Sequence, residues 1–212
     1  MLLLCSRQTG KSTVAAALGL RTALLQAYSP IVILSPSLRQ SGELFRKVLG
    51  LFHSLGRPTG ITGQSAQRLE LANGSRVVCL PSTEGTIRGF SGVAMVIIDE
   101  AARVADELYY AVRPMLAVSQ GRLVALSTPF GKRGWFYKEW QENTPWERAQ
   151  ITALECPRIQ AAFLEDERLA LGPRWFAQEY LCSFEEVEGS VFAQEDILAA
   201  FADDAEPLFS GG

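Results

Sequence analysis

Met1-Leu-Leu-Leu-Cys-Ser-Arg-Gln-Thr-Gly-Lys-Ser-Thr13 opens the chain. An apolar strand runs into a short polar loop, and a helix starts at Lys11. Cys5 to Ser12 matches the phosphate-loop template G-x-x-x-x-G-K-[ST] except at its first position, where cysteine replaces glycine. The order strand, loop, helix is the one the chemistry needs, because the loop N–H groups and the helix N-terminus must converge on phosphate oxygens. Ser6, Arg7, Gln8, Thr9, Gly10, Lys11, Ser12 and Thr13 are therefore the nucleotide-binding stretch, Thr13 already within the helix. Lys11 is placed to reach the β- and γ-phosphates, and the Ser12 hydroxyl to hold Mg²⁺.

A Gly-Lys-Ser tripeptide alone is weak, and the apolar run Met95-Val-Ile-Ile-Asp-Glu100 supplies what it lacks. A buried strand ending in two carboxylates gives Asp99 as a second Mg²⁺ ligand, through the ion's water shell, and Glu100 as the group that polarises an attacking water. The competing reading is that Asp99 and Glu100 merely cap a following helix, Ala101 to Val112.

At 212 residues, 48% hydrophobic and 20% charged, the chain is long enough for one α/β core with a small appendage. A net charge of −3 does not mark a nucleic-acid binder, so any such surface is local. Four cysteines without C-x-x-C spacing read as buried free thiols in a reducing compartment, and a single histidine leaves a zinc site unsupported. Met1 to Cys5 is too short for a secretion signal and no later run approaches a membrane span, so a soluble, cytoplasmic protein without membrane contact is expected.

Periodicity predicts a helix from Lys11 to Ala27, a strand at Ile31 to Leu34 and an amphipathic helix ending at Phe52. This β-α-β-α opening predicts a mostly parallel sheet flanked by helices. Arg39 and Gln40 follow a strand end, where contact with ligand and simple solvation are both open readings. Alternation on either side of Asn73-Gly74 in residues 67–80 predicts a hairpin with a two-residue turn. Arg88-Gly89 lies in a polar loop and reads either as a phosphate or DNA contact or as an exposed arginine. The strand Arg122 to Pro129 has an apolar body that ends in Ser127-Thr128, placed to sense a γ-phosphate beside the two nucleotide motifs, where an ordinary strand end closed by Pro129 is the competing reading. Phe130 to Trp140 interleaves Lys132, Arg133 and Lys138 with aromatics, which fits either a nucleic-acid contact or aromatics packed on the core. A last strand is expected within Ala149 to Leu154, then helices over Gln160 to Ala170 and Arg174 to Phe184, separated by Leu171-Gly-Pro173. A short helix over Val191 to Ala202 and a tail complete the reading.

With these motifs in order, the chain resembles the N-terminal ATPase domain of the tailed-bacteriophage terminase large subunit, the DNA-packaging motor. The resemblance runs from about Met1 to Ala202. It rests on Cys5-Ser-Arg-Gln-Thr-Gly-Lys-Ser, Asn73-Gly-Ser, Ile87-Arg-Gly, Ile97-Ile-Asp-Glu-Ala101, Leu126-Ser-Thr-Pro-Phe-Gly131 and Gln178-Glu-Tyr-Leu-Cys-Ser-Phe184. It implies an additional-strand, RecA-like P-loop NTPase fold with a helical C-terminal extension. It also implies an Mg²⁺-dependent ATP hydrolase in which Glu100, Arg7 and Thr128 are catalytic, Arg7 stabilising the γ-phosphate and Thr128 reporting hydrolysis, while Ser12 and Asp99 hold the metal. Double-stranded DNA, the portal protein, the small terminase subunit and a homo-oligomeric ring on the procapsid are the implied partners, in the host cytoplasm.

The resemblance divides the chain into an ATPase core (1–155), a helical extension (156–202) and a tail or truncated linker (203–212) toward a nuclease domain absent from this chain. Family members usually carry an adenine-binding segment upstream of the loop and continue into a nuclease domain, so a fragment, a split gene product or a shortened relative, with weakened nucleotide affinity and no DNA cleavage of its own, is expected. A helicase-like translocase and a non-hydrolysing nucleotide-binding or assembly remnant stay open as alternatives.

Overall fold

The computed structural model describes residues 1–82, 87 and 89–186. Its centre is an eight-stranded sheet of β1 (Leu2–Cys5), β2 (Pro30–Ser35), β3 (Ile61–Gln64), β4 (Arg68–Leu71), β5 (Arg76–Pro81), β6 (Met95–Asp99), β7 (Arg122–Ser127) and β8 (Arg148–Ile151). The order across the sheet is β3-β4-β5-β2-β6-β7-β1-β8. From β5 to β8 every neighbouring pair is parallel, and β4 and β3 add an antiparallel margin at the β5 side.

Strands covered on both faces must be apolar at every position, and β2 shows how the chain meets that demand. Ile31 and Ile33 face a core built with Ala16 and Leu20 of α1 (Lys11–Leu25) and Phe45, Val48 and Phe52 of α2 (Leu38–Ser54). Val32 and Leu34 face the opposite core, with Leu108 and Val112 of α3 (Asp106–Val112) and Trp135 and Phe136 of α4 (Gly134–Gln141). The last helix, α5 (Ala161–Tyr180), sits over its own small cluster of Ala153, Leu164, Phe176 and Tyr180. Gly172, at φ 76°, and Pro173 break α5 where Leu171-Gly-Pro173 predicted an interruption, and the helical run ends at Tyr180 rather than Phe184.

Three expectations are corrected. The hairpin turn has three residues, because Leu71 N–H donates to Ser75 C=O at 2.9 Å and Gly74 takes the left-handed conformation, φ 79°. That geometry suits a type I turn closed by a bulge. The span Ala101 to Val112 is not one helix: a 3-10 turn at Ala101–Arg103 gives way to extended Val104, and α3 begins at Asp106. β3 is a strand that the sequence does not announce, since an edge strand that is almost wholly exposed carries no apolar alternation. The 130–140 stretch resolves toward packing: Trp135 and Phe136 are 2% and 0% exposed, and Trp135 stacks on Tyr109 with centroids 4.2 Å apart. Such a pair adds about 1 kcal/mol beyond the area it buries. Arg88 and the helix expected over Val191 to Ala202 lie outside the described residues, as does the tail.

All four cysteines are free and buried. No helix among the described residues is long and apolar enough to cross a membrane. Because β1, β2, β6, β7 and β8 run in one direction, their C-terminal ends share one edge of the sheet, where the loop after β1, Asp99-Glu100 after β6 and Ser127-Thr128 after β7 emerge.

Candidate nucleotide site

β1 carries the chain to this edge and the loop after it is anchored on both sides. Ser6 N–H donates to Ile151 C=O at 2.9 Å and Arg7 N–H to Glu179 C=O at 3.1 Å. Gln8 and Gly10 turn back with φ of 63° and 95°. A side chain at Gly10 would adopt a disfavoured backbone and bring its Cβ to 3.2 Å from the Arg158 guanidinium. Gly10 C=O accepts from Thr13 N–H at 2.9 Å and Val14 N–H at 3.1 Å, and no side chain caps the helix start. The first N–H groups of α1 thus meet the loop with capacity for an anion. Thr9 Oγ1 donates to Ser6 C=O at 2.8 Å, and Lys11 Nζ reaches the same carbonyl at 3.1 Å.

The second half of the site hangs on Asp99, which is 6% exposed. Ser12 Oγ donates to Asp99 Oδ2 at 3.2 Å and Glu100 N–H to Asp99 Oδ1 at 3.1 Å. Burial, with the neighbouring Glu100 charge, pushes the Asp99 carboxyl up to about 6, against the opposing pull of Lys11 and the two hydrogen bonds. Glu100 itself has left-handed backbone, φ 52° and ψ 44°. For a residue with a side chain this costs about 1 kcal/mol or more. It is held by Arg103 N–H donating to Glu100 C=O at 2.9 Å and by Ser127 Oγ accepting from Ala102 N–H at 3.1 Å. Thr128 Oγ1 donates to Glu100 Oε2 at 3.5 Å, so Ser127 supports the backbone after Glu100 while Thr128 touches the carboxylate.

A cavity of about 700 Å³ lies over these groups. Arg7, Gln8, Gly10, Lys11, Ser12, Thr13, Glu100 and Thr128 line it, while Ser6 and Asp99 are buried in its supporting wall. Five cationic side chains, Arg7, Lys11, Lys47, Arg103 and Arg158, face one carboxylate, Glu100. That balance suits a polyanion. Of the two residues at the start of α2 with open readings, Gln40 lines the cavity and Arg39 does not.

Sequence reasoning missed the contributions of Lys47, Arg103, Arg158 and Glu179. Arg7 Nε pairs with Glu179 Oε2, and the side chains are 58% and 9% exposed respectively. The Gln178-Glu-Tyr stretch enters the sequence reading only through resemblance, and nothing in its spacing shows that it returns to the loop.

The model of the family described as "Terminase large subunit, T4likevirus-type, N-terminal" matches residues 2–199. The chain belongs to this terminase family. The terminase large subunit of Escherichia phage T5 is 26% identical over 196 residues, covering 88% of this chain and 44% of the relative, so the chain spans less than half of that protein. Among solved structures, the large terminase ATPase domain of Thermus phage P74-26 superposes with a TM-score of 0.75 at 22% identity, covering 86% of this chain and 87% of that one. The large terminase of a thermophilic bacteriophage in complex with ADP gives 0.72 at 16% identity, covering 92% and 51%. These structures share the terminase fold seen here, a mostly parallel sheet flanked by helices.

Proposed function

We propose that this terminase chain is an Mg²⁺-dependent ATPase that drives double-stranded DNA into a procapsid. The observation that carries the reading is the convergence of Lys11, Ser12, Asp99, Glu100 and Thr128 at one sheet edge, under a strongly cationic cavity. The thermophilic-phage terminase whose fold it shares has been seen with ADP and with ATP-γ-S. The reading takes double-stranded DNA as the substrate, and a portal protein, a small terminase subunit and a homo-oligomeric ring as partners, with family membership as its support.

The residues present fit a hard divalent cation. Ser12 Oγ and the Asp99 carboxylate form an all-oxygen pair, and Mg²⁺ is commonly held by one or two such groups together with substrate phosphates. Bound there, Mg²⁺ would neutralise charge on the β- and γ-phosphates. A nearby dication also favours the ionised form of Asp99 that burial disfavours. The loop N–H groups and Lys11 bind and orient the polyphosphate. Glu100 accepts a hydrogen bond from water and orients its lone pair for attack, and Thr128 fixes the carboxylate through its hydroxyl. Arg7 offers a guanidinium to the charge that develops on the transferring phosphoryl group, as electrostatic stabilisation requires.

The test is steady-state ATP hydrolysis by the chain, with and without double-stranded DNA, beside Glu100→Gln and Lys11→Ala. Glu100→Gln is expected to lower turnover by about 10²–10⁴-fold while nucleotide binding survives. Lys11→Ala is expected to weaken binding itself. A folded wild-type chain that binds ATP without turning it over would favour the non-hydrolysing alternative.

A further inference from the structure

β2 is apolar from Ile31 to Leu34 and closes on a serine. Ser35 is fully buried, and its hydroxyl has no hydrogen-bond partner among the described residues. Its carbonyl is engaged, accepting from Ser82 N–H at 2.8 Å. The other buried serines, Ser6, Ser29, Ser41, Ser75 and Ser127, each form a bond through the hydroxyl oxygen. A buried polar group without a partner needs a reason, and the position of Ser35 supplies one.

The sheet register sets Ser35 beside Asp99. Leu34 of β2 pairs with Ile98 of β6, so the next residues on these parallel strands, Ser35 and Asp99, are neighbours about 5 Å apart at the backbone. Leu34 and Ile98 belong to the core under α3 and α4, and Ile33 and Ile97 to the core under α1 and α2, so the pleat turns Ser35 and Asp99 toward α1. α1 straddles the same two strands, because a Cβ on Gly19 would stand 3.0 Å from Ile33 Cδ1 and 3.6 Å from Ile97 Cδ1. Residues three and four apart share a helix face, and that face climbs from Gly19 through Ala15 and Ala16, both fully buried, to Ser12. There Ser12 Oγ donates to Asp99 Oδ2 at 3.2 Å. Three oxygen-bearing side chains, Ser12, Asp99 and Ser35, therefore converge under the first turn of α1, and Pro36, the residue after Ser35, lines the large cavity.

We infer that Ser35 is a positioning residue of the Mg²⁺ site, its hydroxyl accepting a hydrogen bond from water on the ion that Ser12 and Asp99 hold. The inference rests on the Mg²⁺–nucleotide reading of the main cavity. Mg²⁺ dehydrates reluctantly and keeps several waters, whose O–H groups need acceptors on the protein. Asp99 already accepts from Ser12 Oγ and Glu100 N–H. Ser35 adds an uncommitted acceptor without a second negative charge, in a buried wall where another carboxylate would be costly. A group of this kind acts through the ion's water shell rather than by direct ligation.

ATP-γ-S binding to the full chain, in Mg²⁺ and in EDTA, tests this beside the urea midpoint of the metal-free protein. Wild type is expected to bind more tightly in Mg²⁺. Ser35→Ala should shrink that Mg²⁺ advantage about tenfold while binding in EDTA is unchanged, the scale of losing an outer-shell partner of a metal. Because the hydroxyl it removes is unpartnered, the urea midpoint should hold or rise. Ser35→Thr, which keeps the hydroxyl, should recover most of the advantage. A full Mg²⁺ advantage in Ser35→Ala overturns the inference and leaves the nucleotide reading standing. So does a lowered urea midpoint with equal losses of binding in Mg²⁺ and in EDTA, which would make Ser35 part of the packing only. Wild type that binds ATP-γ-S equally in Mg²⁺ and in EDTA overturns the metal reading and the inference with it. Wild type that binds no ATP-γ-S overturns the nucleotide reading as well.

Discussion

Replacing Asp99 with asparagine should stabilise the empty protein at neutral pH. The carboxyl is held at about 6 against an ordinary 3.8, and each pKa unit is worth 1.36 kcal/mol, so ionised Asp99 disfavours folding by about 3 kcal/mol. The sign follows from proton counts. Between about pH 4 and pH 6 the folded chain holds more protons at this site than the unfolded chain, so wild-type stability falls as pH rises through that window. Asparagine carries no charge and keeps an acceptor for Glu100 N–H, although its bond to Ser12 must reorganise. The expected gain is about 1–3 kcal/mol at pH 7.5, shrinking toward zero near pH 4. Urea unfolding of both chains at the two pH values, free of metal and nucleotide, measures it. The same variant should lose Mg²⁺-dependent nucleotide binding. Equal or lower stability of Asp99→Asn at pH 7.5, or a difference that grows on acidification, would refute the reasoning that burial strains this carboxylate.

Two further outcomes are expected. Glu179→Ala removes the partner of Arg7 while leaving the backbone bond between the two residues, so kcat should fall about 10- to 100-fold with a smaller change in KM, and Glu179→Gln should restore part of the loss. A uniform fall in thermal stability with no separation of kcat from KM would make Glu179 structural only. Gly121→Ala should destabilise by about 3 kcal/mol in urea unfolding, because a Cβ there would lie 2.1 Å from the Val93 carbonyl oxygen where the chain enters β7; a variant as stable as wild type would show that this approach can relax.

Much of the site was legible because phosphate chemistry ties residue types to short spacings. The loop from Ser6 to Thr13, the Asp99-Glu100 pair and Ser127-Thr128 could each be read within one strand and its exit. The buried strands were legible for a related reason: positions covered on both faces leave an unbroken apolar run, as in Ile31 to Leu34. What escaped depends on backbone geometry or on long-range return. Extended Val104 ends the helical turn that starts at Ala101, and periodicity contains no term for that. Arg7 and Glu179 are 172 positions apart, so neither residue announces the other. Arg158 comes beside the loop only because β8 takes the slot next to β1. The aromatic run from Phe130 to Trp140 kept two readings until the burial of Trp135 and Phe136 favoured packing, since hydropathy alone does not separate a ring that packs from one that stacks on a base.

The backbone at Glu100 also bears on how such a gene would drift. A left-handed residue is tolerated most readily as glycine or asparagine, and burial disfavours the charge of Asp99 beside it. Were catalysis no longer under selection, mutation at these two adjacent codons would run downhill in folding free energy, and the pair would erode before the core around it.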